Sequence, residues 1–210
     1  NVQRTCLHAS KDSETVSTAI ATTMHGNAFV TTDDLFDYFG QGGRRVPLIR
    51  FGKSHMFNNV FYNYRREVVS VRVGARLVMN DNMFLVNAAS AASRDDDLPY
   101  YVEQLLTGFE DDGGGLEVIR SYVWLSDPAC NLDPSASGDL TASYGSAPDL
   151  LADYGEASRS TIAGALLPAG AELAAYVFAT AGKGAAVPFN SPFTLGREAI
   201  LALERRGCQQ

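Results

Sequence analysis

Histidine is the side chain whose ordinary pKa suits proton transfer near neutrality, and this sequence has three, His8, His25 and His55. His8 and His25 fall in residues 1–26, a stretch rich in Ser, Thr, Lys and Asp with no sustained period. It reads as an extended arm in which nothing rigid would hold an imidazole against a nucleophile. His55 stands between Ser54 and Met56, outside any Gly-x-Ser-x-Gly elbow. No catalytic residue is expected from these three.

Hard-cation chemistry would need clustered oxygen ligands, and Asp95-Asp96-Asp97 and Glu110-Asp111-Asp112 are the two acidic runs. Their spacing fits no EF-hand loop, and exposed carboxylates are screened by water and salt, so a solvated face is the expectation. The glycines Gly113, Gly114 and Gly115 that follow lack the Lys and Ser or Thr of a phosphate-binding loop. Cys6, Cys130 and Cys208 have no zinc spacing, and an odd count argues against a closed disulfide set. Neither a metal nor a cofactor is expected.

Binding chemistry has more candidates. Ser137-Gly138-Asp139-Leu140 resembles an integrin-binding Arg-Gly-Asp-Leu, but Ser137 stands where the guanidinium would be. The pairs Arg44-Arg45, Arg65-Arg66 and Arg205-Arg206 are the basic concentrations and could meet phosphate locally, as a weak genome contact. Phe57, Phe61, Tyr62 and Tyr64, interleaved with Asn58, Asn59 and Asn63, form an aromatic group that reads either as core or as an interface.

The elements that must position these residues read as β-rich. Val69, Val71 and Val73 alternate with Ser70 and Arg72, the period of a half-buried strand over Glu67 to Val73. The runs 76–79 and 83–86 flank Asn80-Asp81-Asn82, residues that tolerate the left-handed conformation, and predict a hairpin. Ala28 to Thr31 is strand-like, and residues 116–125 and 173–179 are apolar on both faces, as in buried strands. Short helices are predicted near 32–39 and 99–109, and residues 127–160 read as a long loop. No repeat of fixed period is apparent. The predicted fold class is all-β: an antiparallel sandwich over 27–210 with short helices in loops and an extended arm over 1–26.

Composition narrows the function. The chain has 210 residues, 46% hydrophobic and 20% charged, within the range of one globular domain. A net charge of −7 disfavours a nucleic-acid or anionic-membrane module. The apolar run 171–181 is interrupted by Glu172 and is too short to span a bilayer. The terminal Cys208-Gln209-Gln210 fits the product of a Gln-cleaving polyprotein protease.

The order of the segment Thr32 to Phe39, Val46-Pro47-Leu48-Ile49, the aromatic stretch ending Tyr62-Asn63-Tyr64-Arg65-Arg66 and the strand 67–73 resembles the first half of a picorna-like viral capsid protein, over about residues 27–88. The resemblance implies an eight-stranded jelly roll and no enzymatic activity. It implies a structural coat protein of an icosahedral virion, made in the host cytoplasm, whose partners are other capsid subunits and whose arm runs beneath neighbours. The second reading is a trimeric binding module of the tumour-necrosis-factor or C1q type. The third is a β-sandwich hydrolase.

Overall fold

In a parallel strand pair the partners can be far apart in sequence, so stacking similar segments builds a sheet from successive turns of chain. The computed structural model describes residues 7–8, 13, 15–30, 45–62, 64, 67–86, 113–126, 132–145 and 167–181, and such stacking dominates it. The first coil carries β1 (Leu7–His8), β2 (Ala21–His25) and β3 (Ala28–Val30). The second carries β4 (Leu48–Arg50), β5 (Lys53–Phe57) and β6 (Val60–Tyr62). The third carries β7 (Ser70–Arg72), β8 (Arg76–Asn80) and β9 (Met83–Val86).

Like strands of successive coils pair in parallel. Sheet A is β1-β4-β7, sheet B begins β2-β5-β8 and sheet C begins β3-β6-β9. The long strand β10 (Gly115–Ser126) extends B with its first half and C with its second. Against it lies the antiparallel β11 (Leu132–Tyr144). The architecture is a mostly parallel, curled β-helix-type stack, and the antiparallel jelly-roll sandwich expected from the alternation is overturned by this topology.

The interior is built by register. Met24, Met56, Met79 and Val118 occupy one row, and Phe29, Phe61, Phe84 and Val123 another. Phe61 stacks on Phe29 at 5.0 Å and on Phe84 at 4.7 Å between ring centroids. Each buried ring removes apolar area worth about 1.5–3 kcal/mol.

The corner between sheets B and C explains the failed hairpin. Its first residue is left-handed in every coil: Gly26 (φ 65°), Asn58 (51°), Asp81 (53°) and Arg120 (47°). The second is Asn27, Asn59, Asn82 and Ser121, and these bond to one another along the stack. Asn and Asp thus supply the positive φ foreseen for residues 80–82. The turn bends the chain around the coil and does not reverse it, since β8 and β9 each pair in parallel with other coils.

Other expectations meet the structure here. Residues 173–179, predicted as a strand, form most of helix α1 (Ala171–Thr180). Its Leu173, Ala174 and Val177 cover Val60, Tyr62, Met83 and Leu85 on the outer face of sheet C. An apolar run has no strand signal of its own; here the 3.6-residue spacing of Leu173 and Val177 prevails. Part of the stretch read as a loop is β11, and parts of the stretch read as an arm are β1 and β2. Of the apolar residues in the predicted strands, Val69, Val71, Leu85, Val118 and Val177 are buried, while Val73 and Trp124 are half-buried. The helices predicted near 32–39 and 99–109 lie outside the described residues.

Candidate functional site

Sheet A and the start of sheet B repeat a short segment. Arg45 to Gly52 aligns with Glu67 to Gly74, and both copies end in Arg, an apolar residue and Gly. Ile49 and Val71 face the interior, so alternation turns their neighbours Arg50 and Arg72 to the other face of sheet A, where they are direct register partners, Arg50 buried and Arg72 half-buried. After a short corner, Lys53 and Arg76 are again register partners, on the side opposite Leu77. Four cations therefore stand in two pairs on the edge joining sheets A and B.

Neighbouring strands lie about 4.8 Å apart. Both pairs span the second and third coils, so the edge carries two cationic pairs that suit a ligand bearing more than one anionic group. Net charge hid this, because the chain as a whole is acidic.

At the start of each sheet A segment stand Arg45 (φ 64°) and Glu67 (φ 43°), both left-handed. The Arg45 N–H donates to the Glu67 carbonyl at 2.7 Å, and Arg45 Nε donates to Glu67 Oε2 at 3.3 Å. Their side chains keep 17% and 20% of their accessibility, so the ion pair opens to solvent.

The histidines are held by strands and not by a loose arm. His8 on β1 lies with Nδ1 3.5 Å from Thr22 Oγ1 and 3.4 Å from Ser54 Oγ, and burial pushes its pKa down. His25 stacks on Phe57 at 4.8 Å. Buried His55 bonds through Nε2 to Asn80 Oδ1; Asn80 Nδ2 donates to Asp81 Oδ2 at 3.0 Å, and Arg120 grips Asp81 from the next coil. This polar chain fixes the corner. No histidine joins the cationic edge.

The aromatic group is buried: Phe57, Phe61, Tyr62 and Tyr64 are all at most 4% exposed. Ser137 to Leu140 lies in β11, paired to β10, with Leu140 buried, so the Gly-Asp is not a projecting loop. Arg44, the pairs Arg65-Arg66 and Arg205-Arg206, both acidic runs and the three cysteines lie outside the described residues. Among the described residues no three His, Cys, Asp or Glu side chains gather as a metal site, and no helix is long and apolar enough to cross a membrane.

A signal for this architecture exists in the sequence. Met-x-x-Asn-x-Phe occurs at Met24, Met56 and Met79, and sequence reasoning missed it because the intervals, 32 and 23 residues, are unequal.

Comparison with known proteins agrees with the topology. A family model described as pectate lyase matches residues 1–98. Two solved structures of pectate lyase variants from Xanthomonas campestris align over 87% of this chain at 26% identity, with TM-scores of 0.54 and 0.52. This chain covers 46% of each of theirs. No curated protein matches. These similarities, with the parallel coils, overturn the capsid resemblance and the trimeric alternative. With them go the reading as a non-enzymatic structural protein, the capsid-subunit and genome partners, and the virion location.

Proposed function

We propose that this chain is a lyase that cleaves pectate, a polymer of galacturonate with free carboxylates, by β-elimination. The single observation that carries the reading is the in-register pairing of Arg50 with Arg72 and of Lys53 with Arg76 along one edge. A polyuronate is a polyanion, and this edge sets two pairs of cations in register. The similarity to pectate lyases in family model and fold supports it independently.

The chemistry uses such cations directly. A carboxylate makes the adjacent C5 proton hard to remove, because the carbanion places a second negative charge beside the first. An Arg paired to that carboxylate lowers this cost, and its planar fork suits the two oxygens. The C5 proton passes to a general base, and its electron pair forms the C4=C5 double bond. The C4–O bond breaks, and the departing glycosidic oxygen takes a proton from solvent. No redox partner and no added water are involved. Because the substrate is a polymer, the proposed site of action is outside the cell.

The test is to mix the purified chain with polygalacturonate and follow the ultraviolet absorbance of the unsaturated uronate. Absorbance should rise, and Arg72→Gln and Arg76→Gln should each raise KM. Chain shortening without unsaturation would refute elimination, and no chain shortening at all would refute lyase activity.

A further inference from the structure

We infer that Glu67 is a positioning residue that aims the Arg45 guanidinium at a substrate carboxylate; the inference rests on the lyase reading above. Arg45 is gripped at one nitrogen only. Its Nε donates to Glu67 Oε2, and among the described residues its two terminal nitrogens have no other protein partner. The terminal pair is the edge that matches a carboxylate bidentately, so Glu67 holds the guanidinium by its side and leaves the recognising edge open.

The backbone reinforces this aim. Arg45 and Glu67 are both left-handed non-glycine residues, a conformation that costs on the order of 1 kcal/mol or more each. They are locked together by the 2.7 Å backbone hydrogen bond and by the neighbouring bond from Val46 N–H to the Val68 carbonyl at 2.6 Å. The pair opens the sheet A segments that lead to Arg50 and Arg72, five residues before each. Stability gives one reason for the arrangement, since the two side chains are mostly covered. Orientation gives a strong one: misplacing a charge-stabilising group can cost on the order of a hundredfold in rate.

The pairing makes a prediction that a structural clip does not. If Glu67 serves catalysis through Arg45, its substitution lowers kcat only when Arg45 is present. Polygalacturonate cleavage should be measured for the wild type, E67Q, E67D, R45A and the double variant, with thermal melts alongside. The expected result is a kcat at least about tenfold lower in E67Q, partial recovery in E67D, a melting temperature near wild type, and no further loss when E67Q is added to R45A. A wild-type kcat in E67Q, or an equal loss in both backgrounds, overturns the positioning role while leaving the lyase reading standing. An inactive wild type with an intact fold overturns both. If E67Q does not fold, R45K takes its place: it keeps the charge but lacks the fork, and the inference requires a folded protein with a similarly lowered kcat, whereas full activity overturns it.

Discussion

Asn59 and Asn82 stand one coil apart, and Asn59 Nδ2 donates to Asn82 Oδ1 at 3.0 Å inside a fully buried corner. Asn59 also donates to the Met24 carbonyl, while its Oδ1 accepts from the backbone and side chain of Asn27. One side chain therefore ties three coils. Asn59→Leu strands buried polar groups on both sides, each costing about 1–3 kcal/mol. A loss of about 3–6 kcal/mol is expected, enough to unfold a marginal domain, and urea titration with far-ultraviolet circular dichroism measures it.

Arg120 makes a two-pronged contact to Asp81, Nε to Oδ1 at 3.0 Å and Nη2 to Oδ2 at 2.6 Å. These hydrogen bonds raise the Arg120 pKa further above its ordinary value. The arginine is 64% exposed, but the Asp81 side chain only 5%. Arg120→Ala leaves that carboxylate buried with, among the described residues, only Asn80 Nδ2 donating to it from a side chain, and should cost about 1–3 kcal/mol. Its urea midpoint should fall while the m-value holds.

His8 predicts a pH dependence. Burial lowers its folded pKa below the ordinary 6.5, so the unfolded chain takes up a proton first as pH falls. The contribution of a neutral His8 is fully present above pH 6.5. It is lost as pH falls through the depressed folded value, and the loss then levels off. His8→Gln can still bond Thr22 and Ser54 but does not titrate, so the stability difference between variant and wild type should change across that window. A difference flat with pH would contradict the burial of the ring.

Gly145 (φ 60°) closes β11 against the start of β10, and a Cβ there would lie 2.1 Å from the Gly114 carbonyl oxygen. Backbone must move to admit it. Gly145→Ala should therefore destabilise by roughly 1–3 kcal/mol, read as a lowered melting temperature.

The strand over 70–72, the strand over 115–126 and much of the core were legible, because alternation reports burial whatever the topology. What alternation does not report is which strand lies beside which. Parallel and antiparallel neighbours present the same pattern locally, so Val69, Val71 and Val118 fitted a sandwich as well as a coil. Asn80-Asp81-Asn82 announced positive φ but not whether the chain would turn back or turn aside. The cationic edge was illegible for a related reason: Arg50 and Arg72 are 22 residues apart and become neighbours only through the stack. The Arg pairs that adjacency in sequence brought forward were a different set.

Elimination and hydrolysis leave products of different mass. Oligogalacturonates released by the purified chain should be analysed by mass spectrometry after digestion in oxygen-18 water. Elimination predicts, for each cleavage, one new end lighter than the hydrolytic product by one water and no oxygen-18 in either fragment. Saturated products carrying one oxygen-18 per cut would identify a hydrolase and rule out elimination.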